Sequence, residues 1–310
     1  MESFNMRELC YNRKRRYARK CLKTFGAFLF GFVIISVIEI YAHFPTTDIN
    51  VMRVKDNCCS SSYWDALLDS ESLTGYQILQ YVMWTNRSSC HLIHDFGGII
   101  HQDVHPAGLD GQKAVCIDPE VAPDRKNCLV YSFGINNEWS FDEQMEKYGC
   151  QVFAFDPSMS MYQHDHTPGI HFYNWGLGNR DEVTVERNWT LRSLSSIYNN
   201  LTARHGEKVI DYLKIDIEFA EWVALPEIIK SGMLSKVRQL GIEIHLDNTK
   251  SIDGSRQQVQ LLRSVEKMGF IRFDSKYNPW SMTHFTQLGL FSVPFAYEIA
   301  WYNDKLLHDS

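Results

Sequence analysis

Three carboxylates and an imidazole stand close together late in the chain, in the runs Leu213-Lys214-Ile215-Asp216-Ile217-Glu218 and Glu243-Ile244-His245, with Glu221 just behind the first. Both runs read as apolar strands that end in acids. Side chains alternate between the faces of a strand, so Asp216 and Glu218 share one side of theirs, and Glu243 and His245 share one side of the other. If the strands are neighbours, the group can take a proton from a hydroxyl, or hold a divalent cation that lowers that hydroxyl's pKa. Asp216, Glu218 and His245 are therefore candidate catalytic residues, and Asp216, Glu243 and His245 candidate metal ligands. The plainer reading is that Glu218 and Glu221 charge the first turn of a following helix, where carboxylates are favoured anyway.

A second constellation lies upstream. An apolar run ends at Gly134-Ile135-Asn136, and Asp156 follows 22 residues after Gly134. A glycine lets the backbone turn sharply and lie close to a ligand. A carboxylate about 20 residues beyond such a turn binds ribose hydroxyls in nucleotide-binding folds, because it accepts from two vicinal hydroxyls at once. A dinucleotide would need further glycines near its pyrophosphate, but Asn136 and Trp139 occupy those positions, and no P-loop pattern occurs. The pattern suits a nucleoside ligand without phosphate.

These residues need a scaffold that brings strand ends together. From residue 128 onward, short apolar runs alternate with amphipathic stretches, the sign of a parallel sheet covered by helices. The pattern predicts strands at residues 129–133, 151–155, 170–174, 212–217 and 239–245. It predicts helices at 139–148, 191–201, 220–230 and 255–267, a turn at Gly176-Leu177-Gly178, and an edge strand near 182–186. After Gly269 the chain turns to strands at 270–274, 287–291 and 296–301. Residues 64–84 have helical spacing. The four histidines that follow, His91, His94, His101 and His105, fit no familiar metal spacing and read as surface and loop residues.

The N-terminus has a different character. Residues 1–23 carry eight Lys/Arg against two acids, leaving a net of −12 on residues 24–310 of a chain whose total is −6. A remainder so acidic, with no basic stripe, speaks against nucleic acid as a partner. Residues 24–42 hold one charge, Glu39, and are long enough for one membrane span. The basic side faces the cytoplasm, so this is a signal anchor of a single-pass type II protein, with residues 43–62 a stem and 63–310 in the Golgi or endoplasmic reticulum lumen or outside the cell. Cleavage after the span would make the protein secreted. Glycosylation acceptors at Asn86, Asn188 and Asn200, and six cysteines beyond the span, agree with an oxidising compartment.

The stretches VYSFGINNEWSFDEQMEKYGCQVFAFDPS, DYLKIDIEFAEW and GIEIHL resemble the methyltransferase-like protein 24 family and, more remotely, FkbM-type methyltransferases. The resemblance implies a Rossmann-like α/β class I methyltransferase fold, mostly parallel with one antiparallel strand near the end, and S-adenosyl-L-methionine as cofactor. It implies that Gly134 and Asn136 lie along the methionine, Asp156 on the ribose, and Trp175, Gly176 and Leu177 near the adenine. The chain departs from the FkbM pattern where Ser132 replaces an acid and where Glu138 and Phe219 replace glycines. The implied reaction is O-methylation of a glycan or small-molecule acceptor. A membrane glycosyltransferase using Asp216 and Glu218 as a DxD-like pair, and an inactive binding protein of the same fold, are the rival readings.

Overall fold

Apolar runs with no polar face must be covered on both sides, and the chain achieves this by laying them edge to edge in one sheet. The computed structural model describes residues 61–102, 107–160 and 162–308. Its main strands are β1 (Leu129–Phe133), β2 (Gln151–Phe155), β3 (His164–Thr167), β4 (Ile170–Tyr173), β5 (Ile210–Ile215), β6 (Val237–His245), β7 (Phe270–Tyr277) and β8 (Ala296–Asn303). They form one sheet in the order β7-β8-β6-β5-β1-β2-β4-β3. β8 enters between β6 and β7 and runs against both, the late antiparallel strand that the family resemblance implies. A second antiparallel strand, β3, was not expected. Its sequence His-Asp-His-Thr has no apolar alternation, and its place comes from pairing with β4.

The helices are α1 (Ser61–Leu68), α2 (Gly75–Met83), α3 (Ser140–Tyr148), α4 (Leu194–His205), α5 (Glu221–Lys230) and α6 (Ile252–Lys267). One face of the sheet, bearing Tyr131, Phe133, Leu213, Ile215, Ile242 and Ile244, packs against α1, α2, α4, α5 and α6 in the largest core. The other face carries α3 through Phe141 and Met145. Beside α3 lies an antiparallel ribbon, Ile93–Phe96 paired with Lys113–Cys116. The buried side-chain amide of Gln239 on β6 accepts from the Cys116 N–H at 2.8 Å and donates to the carbonyls of Cys116 and Val121, so one side chain of the sheet fastens the main chain of the ribbon. Disulfides Cys90–Cys116 and Cys128–Cys150 tie the ribbon and the starts of β1 and β2.

Several expectations need correction. Residues 64–84 form two helices, because the polar segment Asp69-Ser70-Glu71-Ser72 interrupts them and Thr74 with Gln77 makes a capping box that restarts the second. Residues 175–177 are a short strand parallel to Thr190–Arg192, not a turn. A Cβ on Gly176 would lie 2.5 Å from Leu191 and 2.8 Å from Pro157, so this glycine serves close packing. The edge strand near 182–186 shrinks to Glu182–Val183, and α4 begins at Leu194 after Ser193, whose hydroxyl accepts from the Ser196 N–H. The strand expected at 287–291 is Leu290–Pro294, paired with Met282–Phe285 outside the main sheet.

Among the described residues no helix is long and apolar enough to cross a membrane. The basic tail, the span at 24–42, nearly all of the stem, Cys58, Cys59 and His105 lie outside the described residues. Residues 61 and 62 already belong to α1.

Candidate functional site

The chain builds β1, β2 and β4 to one side, then returns across β1 to place β5 on the other, so the strand order reverses between β1 and β5. Ligands of open α/β sheets bind outside the carboxyl ends of the strands at such a point. Gly134 follows β1 here with φ +79°, and a Cβ on it would fall 1.6 Å from the Asp216 carbonyl oxygen. No other residue type fits. Lys214 of β5, itself buried, donates to the carbonyls of Gly134 (2.6 Å) and Phe133 (3.2 Å) and holds the turn from below.

Asp156, 4% exposed, is bound to this turn. Its Oδ2 accepts from the N–H groups of Ile135 (2.9 Å) and Asn136 (2.8 Å), and its Oδ1 from the N–H and hydroxyl of Ser158. All four lone-pair positions are thus taken within the protein. A ribose hydroxyl at this carboxylate would have to replace the Ser158 hydroxyl, the one donor of the four that can rotate away. Asn136 is exposed at φ +46° and followed by Asn137 at +62°, so the turn projects into solvent. Trp175 lies at the other side of β2, tilted at 39° against Tyr173 (centroids 4.7 Å apart) and covered by the Arg192 guanidinium at 4.6 Å. Gly176 and Leu177 are buried behind it.

The expected carboxylates do converge, but in two groups that share Asp216. Asp216, Glu218 and His245 place donor atoms within 4.8 Å of one another, and so do Asp216, Glu243 and Glu298. Strand alternation is not the reason. β5 ends at Ile215, and Glu218 and Phe219 take left-handed φ of +52° and +71°, which folds the segment back over the end of β6. The trio Asp216, Glu243 and His245 expected for a metal does not form as one set.

Lys113 of the ribbon, 1% exposed, reaches between the acids. Its ammonium lies 3.1 Å from Asp216 Oδ2 and closer still to Glu298, while Lys214 is 4.0 Å from Asp216. Burial alone would raise the Asp216 carboxyl, but the fields of Lys113 and Lys214 outweigh it and hold the group below the usual carboxylate range. Burial first, then the charges of Glu298 and Asp216, push Glu243 far up, so it is protonated at neutral pH and shares its proton with Asp216. Two lysines and a proton therefore already balance these acids.

His245 is 3% exposed on the far side of Asp216. Its Nδ1 lies 3.2 Å from Glu221 Oε1, an oxygen that also accepts the His245 N–H at 2.6 Å. Its Nε2 faces Glu218 Oε2 at 3.5 Å. Burial lowers the imidazole's pKa, but Glu221, then Glu218 and Asp216, reverse this and leave it raised. Glu221 is thus more than a helix cap: it is 1% exposed and orients His245, while Glu218, whose side chain is 81% exposed, stands between His245 and solvent. Such an arrangement can pass a proton from outside to the imidazole over one carboxylate, with the second fixing the ring.

A family model described as a methyltransferase domain matches residues 91–290. The chain belongs to this methyltransferase family. Probable methyltransferase-like protein 24 from Homo sapiens is 26% identical over 257 residues, which cover 78% of this chain and 68% of that protein. The Rattus norvegicus protein of the same description is 28% identical over 191 residues, 58% of this chain and 52% of its own length. The resemblance expected from the sequence is borne out. A crystal structure of a 16S rRNA (adenine(1408)-N(1))-methyltransferase mutant from Catenulisporales acidiphilia aligns over 68% of this chain and 98% of its own at 9% identity, with a TM-score of 0.30 too low to bear on the site.

Within this methyltransferase domain the three departures have distinct surroundings. Glu138 accepts from the Ser140 N–H at 2.8 Å at the start of α3, so its carboxylate serves the helix entry. Ser132 is fully buried, and next to it lies Asp142 of α3, 1% exposed, whose carboxylate oxygens and the Ser132 hydroxyl find no hydrogen bond of full geometry. Phe219 is exposed above His245. Lys113, Glu298 and Asp142 carry no sequence signal of their own. Lys214 does: a lysine inside an apolar strand must find a buried partner. Of the three Asn-X-Ser/Thr sequences, Asn188 is exposed just after a turn, Asn200 is exposed on α4 with its amide donating to the Ser196 carbonyl, and Asn86 is half-buried.

Proposed function

We propose that this methyltransferase-family chain moves a methyl group from S-adenosyl-L-methionine to a hydroxyl oxygen on a glycan or small molecule, on the lumenal or extracellular side of a membrane. One observation carries the reading: the Gly134 turn and the Asp216-Glu218-His245 group meet at the strand-order reversal, where the Gly134 backbone lies against Asp216.

Bound there, S-adenosyl-L-methionine supplies an electrophilic methyl carbon on a positively charged sulfur. The protein's part is alignment and proton removal. Gly134 and Asn136 would line the methionine portion, Asp156 the ribose once Ser158 yields its bond, and Trp175, Gly176 and Leu177 the adenine. Glu218 meets the acceptor hydroxyl, and His245 behind it takes up the proton, oriented by Glu221. We assign no divalent cation, because Lys113, Lys214 and the proton on Glu243 already neutralise the acids that would bind it. The same lysines hold Asp216 away from a DxD-like role in a glycosyltransferase.

The membrane anchor at 24–42, the type II orientation and the glycan acceptors at Asn86, Asn188 and Asn200 belong to the proposal too. The two disulfides support an oxidising compartment. Titration calorimetry of the full chain with S-adenosylhomocysteine tests the cofactor. Heat is expected from the wild type and loss of it from Asp156→Ala; no heat from the wild type overturns the proposal.

A further inference from the structure

Phe219 is the residue of the site with the least structural reason to be what it is. A left-handed φ of +71° disfavours a bulky side chain and suits glycine. Glu218 before it is also left-handed, so two consecutive residues bear this strain. Burial does not compensate, since Phe219 remains 44% exposed. Strain retained at a half-exposed aromatic beside a proton-accepting group points to a use outside the folding of the chain.

Its neighbours indicate that use. The Phe219 ring lies parallel to Phe295, with an interplanar angle of 11° and centroids 6.0 Å apart, and its centroid is 5.1 Å from that of His245. Phe295 is fixed by the backbone: its N–H donates to the Ser281 carbonyl at 2.9 Å, and its carbonyl accepts from Leu246 at 2.7 Å. A rigid π surface therefore stands next to the Glu218-His245 pair. We propose that Phe219, backed by Phe295, is the platform that selects the methyl acceptor, and that the acceptor is a neutral or cationic aromatic alcohol whose ring packs on Phe219 while its hydroxyl reaches Glu218. This rests on the methyltransferase reading above and narrows its acceptor.

Acidity favours the same class. A phenolic hydroxyl ionises near pH 10, as tyrosine does, far more readily than an aliphatic one. An imidazole held above its ordinary value is a stronger base toward such a proton than a free one. The exposed carboxylate of Glu218 would repel a phenol that is already ionised. In the step itself the phenolic proton passes over Glu218 to His245 Nε2, and the oxygen's electron pair forms the O–CH3 bond. The C–S bond breaks with its pair returning to sulfur, giving a neutral thioether, an aryl methyl ether and a protonated His245 that later loses its proton to water.

The test measures binding apart from chemistry. Saturation-transfer NMR of the full chain with S-adenosylhomocysteine compares 4-methylphenol with methyl glucoside, on wild type, Phe219→Gly and Phe219→Trp. The phenol signal is expected to exceed that of the glucoside. Its Kd should rise about three- to tenfold in Phe219→Gly, the worth of one aromatic contact, and recover in Phe219→Trp. The Tm of Phe219→Gly should equal or exceed that of wild type, because relief of the left-handed strain offsets the lost packing. A glucoside preference, an unchanged phenol Kd in Phe219→Gly, or a clear fall in its Tm overturns the inference. Phenol binding without methyl transfer from S-adenosylmethionine keeps the platform and sinks the methyltransferase reading; cofactor heat without phenol binding does the reverse.

Discussion

Around Asp156, each lone pair of the carboxylate meets an N–H or O–H donor, two from the turn after the neighbouring strand and two from Ser158. Around Asp216, some 60 residues later in the chain, acids at the end of β5 and on β6 and β8 crowd together and are held by Lys113 of the ribbon and Lys214 of β5. The first end of the site is a hydrogen-bond lock between the ends of two neighbouring strands, β1 and β2. The second exists only when the ribbon, β5, β6 and β8 are all in place, and its protonation states belong to the group. Binding needs the former kind of construction, a rigid cradle of fixed donors. Proton transfer needs the latter, where small rearrangements shift where a proton resides.

The sharpest way to break this contrast is to remove the cation. Lys113→Met should destabilise the protein by about 3–5 kcal/mol, the usual effect of leaving buried acids without their partner. Urea unfolding would measure it, and a loss under about 1 kcal/mol would mean that the Asp216 group does not depend on the ribbon.

Asp142 is an acid with neither kind of support. Burial, against the opposing field of Lys214, pushes its carboxyl up to about 6. Because the folded value lies above the unfolded one, the native state holds more protons between about pH 4 and 6, and stability falls as pH rises through that window. Asp142→Asn should remove the decline and gain on the order of 2 kcal/mol at pH 7. Thermal melts from pH 4 to 7 would show it; parallel curves for the two proteins would refute the assignment.

At the other end, Asp156→Asn should lower stability by about 2 kcal/mol, since an amide cannot accept from four donors. The smallest effect concerns His245. With Glu221 present its pKa is raised, so methyl transfer should increase with pH as the imidazole deprotonates above its ordinary value. Glu221→Gln should move that midpoint to lower pH while cofactor binding is kept, measurable as a pH profile of kcat. A midpoint that stays in place would show that His245 does not carry the proton.

Sequence reading went furthest where structure is local. The boundaries of β1 and β2 follow from apolar runs, and the end of α6 from an amphipathic stretch, though its first turn, capped by Ser251, starts three residues before the expected 255. It misplaced residues 175–177, because a glycine that makes room for Leu191 looks the same in sequence as one that turns the chain. It missed the ribbon before residue 117, whose short strands have mixed burial and gain their place from Gln239 and a disulfide.

The same division holds for the site. The sequence by itself determined that a glycine turn and an acid sit 22 residues apart at successive strand ends, and that acids and a histidine end two later strands. Both are consequences of spacing along one chain. Only the tertiary structure decided that Lys113 and Glu298 join Asp216, that Glu243 keeps a proton, and that Glu221 faces His245 rather than solvent. Those outcomes depend on charges brought within a few ångströms from distant parts of the chain and on the water excluded around them, and neither quantity is written in the order of residues.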